Sequence, residues 1–269
     1  MKIIFANQKG GVGKTTLSVL LANYLALIKK EEVMILDMDD QRSVFDKWTT
    51  DGREHDQSLY NEFVKALSDY PDVQDEAKQL KADIPPLEHL GAVLSANVKK
   101  HPGLKIFIDS IGSYSWDSKQ LYPVLSKDLE EYSAIKPMLD KAKDAFIIMD
   151  LPGKMDDNNL IPIYQDADLV ICPMRYDELT IVSTFTFAAV LRQINPDVPM
   201  VFIPNRIKAN VKYELKAQLR EKLTLYGTLK NDLPDWVSLE RLNTYSLPND
   251  ITSLLSGIYD DIYNQHLVK

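Results

Sequence analysis

Short uninterrupted runs of apolar residues recur along the chain: KIIFA (Lys2 to Ala6), VMILDMD (Val33 to Asp39), AFIIMDLPG (Ala145 to Gly153), DADLVICPM (Asp166 to Met174) and PMVFIPNR (Pro199 to Arg206). Helix-like segments separate them, among them TTLSVLLANYLALIKK directly after the first run. Runs without polar alternation are how parallel strands read when helices bury both faces. The pattern predicts an α/β fold: a doubly wound, mostly parallel sheet with helices on both faces. Ligands of such sheets bind beyond the carboxyl ends of the strands.

The stretch from about Thr50 to Lys143 is less patterned. It holds charged, helix-prone segments (NEFVKALSDY, DEAKQLKADI) and one further candidate strand, LKIFID, Leu104 to Asp109. IGSYSWDSKQLYP then reads as a loop, in which Tyr114 and Trp116 either pack into the core or face a partner. No repeat, low-complexity tract or linker interrupts the chain. The expected organisation is one domain over 1–269 with an elaborated middle section at about 50–143.

The first strand runs into NQKGGVG and then into a helix. Glycines let successive backbone N–H groups point at phosphate oxygens, and the helix N-terminus adds a positive dipole. Gly10, Gly11, Val12 and Gly13 would form that cradle, Lys14 would reach the β- and γ-phosphates, Thr15 would ligate Mg²⁺ and Thr16 would bond the α-phosphate. The usual pattern G-x-x-x-x-G-K-[ST] needs a glycine where Gln8 stands, and the loop carries an additional cation, Lys9.

A triphosphate site also needs carboxylates to hold the metal and to orient water. LDMDDQ supplies Asp37 and Asp39, which as i and i+2 of a strand would share a face. FIIMD ends at Asp150, where a carboxylate can hold the water shell of Mg²⁺. Taken singly, an Asp at a strand end is more often a helix cap or turn residue. Beside a glycine loop the pocket reading prevails.

Composition narrows the field. The 45% apolar and 26% charged content is ordinary for a globular chain. No segment approaches the roughly 20 apolar residues of a membrane-spanning helix, and the N-terminus is not a secretory signal. The single cysteine, Cys172, leaves no disulfide framework and no cluster or zinc site built from several cysteines. The four histidines are scattered and read as structural. A cytoplasmic location follows, nucleoid-associated if the protein binds DNA. A net charge of −8 disfavours indiscriminate nucleic-acid binding by the whole surface, but not a local basic patch.

NQKGGVGKTT, VMILDMDDQ, AFIIMDLPG, DADLVICPM and IPNR together resemble the ParA group of partition ATPases, within the deviant Walker A class that includes MinD-type regulators. The likeness covers nearly the whole chain in order, most specifically 1–45 and 144–210. It implies ATP and Mg²⁺ as cofactors and slow hydrolysis to ADP and phosphate. It implies that Lys9 is the signature lysine crossing a dimer interface to the partner's phosphates, with Lys14 and Thr15 the phosphate lysine and metal ligand. Asp39 would position the hydrolytic water, with Asp37 its neighbour near the metal. Asp150 would be the Walker B aspartate, Leu151-Pro152-Gly153 the switch segment, and Asn205, beside Arg206, the reader of adenine. Asp40 stands where the family usually has proline, and RSVFDKW replaces its common G-N-A-T run. A chain that starts at the first strand implies the small form, without an N-terminal domain for operator DNA.

A trans-acting lysine has a physical rationale. A charge-spread phosphoryl-transfer transition state is stabilised by positioned cations, and a two-fold dimer lets each Lys9 serve the opposite nucleotide. The expected partners are therefore a second copy on ATP binding, non-specific DNA, and a small DNA-binding protein that stimulates hydrolysis. For DNA, Lys208, Lys212, Lys216 and Arg220 step by four and would stripe one helix, with Val211, Leu215 and Leu219 buried behind it. A solvated helix face is the alternative reading. The acidic end, GIYDDIYNQHLVK, does not resemble a membrane-binding basic helix. Other functions stay open: the same switch acting on a protein complex in conjugation or cell division, or an ATP-dependent ligase of the dethiobiotin synthetase type.

Overall fold

All strand pairings among the described residues of the protein are parallel. The structure, a computed structural model, describes residues 1–80, 84–113, 119–214, 216–235, 242–249 and 252–268. Among these, β1 (Lys2–Phe5), β2 (Val33–Asp37), β3 (Val124–Ser126), β4 (Phe146–Asp150), β5 (Leu169–Met174), β6 (Met200–Pro204) and β7 (Thr228–Leu229) form one sheet. Its order is β3-β2-β4-β1-β5-β6-β7. β1, β4, β5 and β6 are buried at every position, the physical counterpart of their unbroken apolar runs. The two edge strands, β3 and β7, went unseen in the sequence because three and two residues are too few to show a period.

The chain divides into two compact units: Met1–Asp46 with Leu121–Lys269, and Lys47–Gln120. In the first, Ile4, Leu36, Met149, Cys172 and Phe202 of the sheet pack in one core. Helices α6 (Tyr132–Leu139), α7 (Leu160–Gln165), α8 (Glu178–Ile194) and α9 (Lys216–Leu223) contribute Tyr132, Ile163, Phe187 and Leu219 to it. Helix α1 (Lys14–Tyr24) lies against β1, β2, β4 and β5 and against α10 (Thr252–Ile262). Leu17 to Tyr24 are all buried, so this is a core helix rather than an amphipathic one. Tyr259 of α10 donates to the Leu17 carbonyl at 3.0 Å and its ring lies 5.5 Å from that of Tyr24.

The second unit is helical. Helix α2 (Ser43–Ala66) continues into it, followed by α3 (Pro71–Ala77), α4 (Pro86–Asn97) and α5 (Lys105–Ser113). Leu59, Val64, Leu67, Val73, Leu90 and Leu94 form its core. The strand expected at Leu104–Asp109 is instead the start of α5. Phe107, Ile108 and Ile111, at i, i+1 and i+4, pack on the helical core while Ile106 is exposed. Helical spacing with a helix cluster to dock against overrides the strand propensity of this apolar run. Tyr114 and Trp116 lie outside the described residues.

Candidate nucleotide-binding site

At the carboxyl end of β1 the chain turns sharply into α1, and glycine makes the turn possible. Gly11 has φ 72° and Gly13 φ 97°, both left-handed, and Gly13 caps α1. A Cβ on Gly13 would come 2.3 Å from Asn205 Nδ2, so this position has no room for a side chain. The loop borders a cleft of about 600 Å³. Gly10, Gly11, Gly13, Lys14, Thr15 and Thr16 line it from one side, Asp39 to Gln41 and Ser43 from a second. Pro152, Gly153 and Lys154 close a third, and Asn205 and Arg206 the fourth.

Most of the sequence candidates converge here. Lys14 is buried in the cleft wall, and a Cβ on Gly153 would lie 3.3 Å from its Nζ. Val12 is buried beneath the loop. Its carbonyl accepts from Asn205 Nδ2 at 2.9 Å, so Asn205 braces the loop from the end of β6. Asn205 Oδ1 is buried without a partner, an acceptor at the cleft. Lys9 is exposed and lies outside the residues lining the cleft.

The carboxylates divide by depth. Thr15 Oγ1 donates to Asp150 Oδ2 at 2.6 Å, while Asp150 Oδ1 is buried without a partner. Burial pushes the Asp150 carboxyl up to about 7; the Thr15 hydroxyl opposes this, and the neighbouring Asp37 charge adds to it. An orphaned carboxylate oxygen beside a threonine hydroxyl fits the coordination shell of a small hard cation whose remaining ligands are waters and phosphate oxygens. Asp37 pairs in register with Asp150 across β2 and β4. Its Oδ2 accepts from Val44 N and Phe45 N, both at 2.9 Å, and thereby caps α2. Burial raises its pKa, and these backbone N–H groups hold it back.

Asp37 and Asp39 do not share a strand face. β2 ends at Asp37, and a turn follows in which Arg42 N donates to Asp39 O at 2.8 Å with Arg42 at φ 50°. Asp39 therefore lines the cleft while Asp37 sits behind it. Asp40 holds Lys154 Nζ at 3.3 Å, and Lys154 also reaches Asp157 at 3.4 Å. Lys154 escaped sequence reasoning, although a lysine directly after the Leu-Pro-Gly segment was the available signal.

The expected basic stripe does not form. α9 starts only at Lys216, and Lys208 and Lys212 precede it on exposed irregular backbone. Val211 is exposed, Leu215 lies outside the described residues, and Leu219 alone of the three is seen buried. Lys216 is paired with Asp232, and Arg220 donates to Asp232 at 2.9 Å and to Tyr176 Oη at 2.9 Å. Stepping by four produces a stripe only where the backbone is helical, and Asp232, beyond the stretch, draws two of the four cations inward.

A parallel sheet with a glycine loop and a buried lysine after its central strand, and a threonine–aspartate pair reaching to the end of the neighbouring strand, defines a P-loop nucleotide-binding fold. The profile of the CobQ/CobB/MinD/ParA nucleotide binding domain matches residues 3–235, and the chain belongs to that family. Over 40 residues it is 55% identical to the chromosome-partitioning ATPase Soj of Thermus thermophilus. That stretch is 15% of this chain, which thus spans 16% of the length of the curated relative it matches. A plasmid partition protein of Borrelia burgdorferi bound to AMPPNP superposes with a TM-score of 0.52 at 19% identity, covering 98% of this chain and 97% of that one. MinD of Aquifex aeolicus, in its complex with MinC, gives 0.56 at 13% identity over 100% and 98%. These two likenesses establish the fold. Among the described residues no helix is long and apolar enough to cross a membrane.

Proposed function

We propose that this protein is an ATP-dependent dimerising ATPase that acts as a switch in partitioning or positioning DNA, such as a plasmid or mobile element. The observation that carries this reading is the contrast between two lysines of one loop. Lys14 is buried in the cleft wall, whereas Lys9 is exposed and does not line the cleft beside it. A cation held away from its own nucleotide can serve the nucleotide of a second copy docked face to face.

In this reading the backbone N–H groups of Gly10 to Gly13 and the Lys14 ammonium grip the phosphates. Thr16 contacts the α-phosphate, and Arg206 flanks the nucleotide. Asn205 keeps its Nδ2 on the loop and offers Oδ1 to the adenine amino group. Thr15 and Asp150 would hold Mg²⁺, with Asp37 behind them maintaining the α2 cap. A metal held there would supply positive charge to the phosphates. Asp39 orients the attacking water, and Lys9 of the second copy stabilises the developing charge. Loss of the γ-phosphate removes the contact shared by both copies and releases the dimer. The whole chain acts as one ATPase domain, elaborated by the Lys47–Gln120 helices. The protein works in the cytoplasm, on the nucleoid when bound to DNA, and a small DNA-binding partner stimulates hydrolysis.

The test is light scattering and DNA retention of Asp39→Ala with ATP and Mg²⁺. ATP-dependent dimers that retain DNA support the switch; a monomer that releases DNA refutes it. A second reading keeps the switch and replaces DNA with a protein complex as cargo. It is favoured by the engagement of Lys216 and Arg220 with Asp232, which leaves Lys208 and Lys212 as the exposed members of the candidate DNA surface. Neutralising Lys208 and Lys212 separates the two, because cargo positioning that survives loss of DNA binding selects the protein complex.

A further inference from the structure

Asn7 is the last buried residue before the loop turns outward, and its side chain makes more contacts than a loop anchor requires. It is 1% exposed. Its Oδ1 accepts from the Lys9 backbone N–H at 3.0 Å. Its Nδ2 donates to the Pro173 carbonyl of β5 at 2.8 Å and to Thr184 Oγ1 of α8 at 3.0 Å, with Cys172 Sγ at 3.5 Å. Thr184 Oγ1 in turn donates to the Thr180 carbonyl at 2.7 Å. Every donor meets an acceptor. A flipped amide would set an N–H against the Lys9 N–H and an oxygen against the Pro173 carbonyl, so the network admits one orientation.

We infer that Asn7 is a positioning residue for Lys9: it ties the main chain beneath that lysine to β5 and α8, so that Lys9 leaves the loop in one direction. This rests on the reading of Lys9 as the cation that serves a second copy. The physical need is plain. A long exposed side chain reaches a target on another molecule only if its base is fixed, since each freely rotating bond at the base spreads the ammonium over a wider volume. Lys14 needs no such tether, because α1 and the cleft wall already hold it. Shape alone would be met by an apolar residue at position 7; three directed hydrogen bonds fix the orientation as well. Asn7 also links the loop to the first turns of α8, whose Leu179 and Val182 are 70% and 61% exposed. Any displacement of that helix is thereby passed to the base of Lys9.

The test combines two measurements. In nucleotide-free protein, hydrogen–deuterium exchange at the Lys9 amide should accelerate about tenfold or more in Asn7→Ala. In Thr184→Val, which removes one of the three bonds and keeps the packing volume, the acceleration should be smaller. Unchanged exchange in both variants overturns the tether. Steady-state ATP hydrolysis is then measured for Asn7→Ala, Lys9→Ala and the double variant. If Asn7 acts through Lys9, the double variant is no slower than Lys9→Ala; multiplying losses overturn the inference, because a general structural defect would compound. Should Asn7→Ala fail to fold, Thr184→Val carries both measurements. A wild type that neither dimerises nor hydrolyses ATP refutes the proposed function, while the exchange data still decide whether Asn7 holds the loop.

Discussion

Thr15 and Asp150 are joined by a 2.6 Å hydrogen bond that connects the first turn of α1 to the end of β4. The other Asp150 oxygen is buried and unpartnered. The pair is thus held ready on one side and unsatisfied on the other, an arrangement that suits a cation arriving with the phosphates.

Thr15→Val preserves volume and removes the hydroxyl. Nucleotide affinity in the presence of Mg²⁺ should fall about ten- to a hundredfold, while affinity in chelator should change little. Fluorescent-nucleotide titrations with and without metal read both quantities, and equal losses under the two conditions would contradict the assignment.

Asp150 also sets a pH dependence. Its carboxyl is raised from 3.8 to about 7, so between these values the folded state binds more protons than the unfolded state. Stability of the metal-free protein should therefore fall as pH rises from about 4 through about 7. Asp150→Asn should flatten that slope. Thermal melts across this range check it, and parallel profiles for the two proteins would remove Asp150 as the cause.

Gly13→Ala meets two obstacles, a φ of 97° and a Cβ 2.3 Å from Asn205 Nδ2. The left-handed backbone alone costs about 1–2 kcal/mol. Nucleotide binding should be lost, and the double variant with Asn205→Ala should recover part of the stability but not the binding. Urea melts with nucleotide titration distinguish the two components.

Lys216, Arg220 and Asp232 behave as one unit. Arg220→Ala should destabilise the protein by about 1–3 kcal/mol, because it strips a charged partner from Asp232, whose side chain is 20% exposed. Lys208→Ala and Lys212→Ala should lie within about 0.5 kcal/mol of wild type. Denaturant midpoints for the single variants settle it.

Asp40 and Lys154 are joined at 3.3 Å, with the Asp40 side chain 71% exposed. Asp40→Ala should change stability by less than about 1 kcal/mol, as is usual for a solvated pair. A larger loss in a melt would mean that this bridge holds the cleft segments together.

The residues themselves determined the sheet interior, the glycine loop and the aspartates at the strand ends. These are local properties: a doubly buried strand must be apolar throughout, and a phosphate loop must supply glycine where φ turns positive. Gly11, Gly13, Lys14 and Asp150 were legible for that reason. Only the tertiary structure decided what depends on distant partners. It placed Asp37 under the first turn of α2 and Asp39 at the cleft, because the chain leaves the strand between them. It made LKIFID the start of a helix, because a helical core was the surface available to it. It turned Lys216 and Arg220 toward Asp232, which no spacing rule could foresee. And it set Asn7 between Lys9, Pro173 and Thr184, residues far apart in the chain that meet only when β1, β5 and α8 pack together.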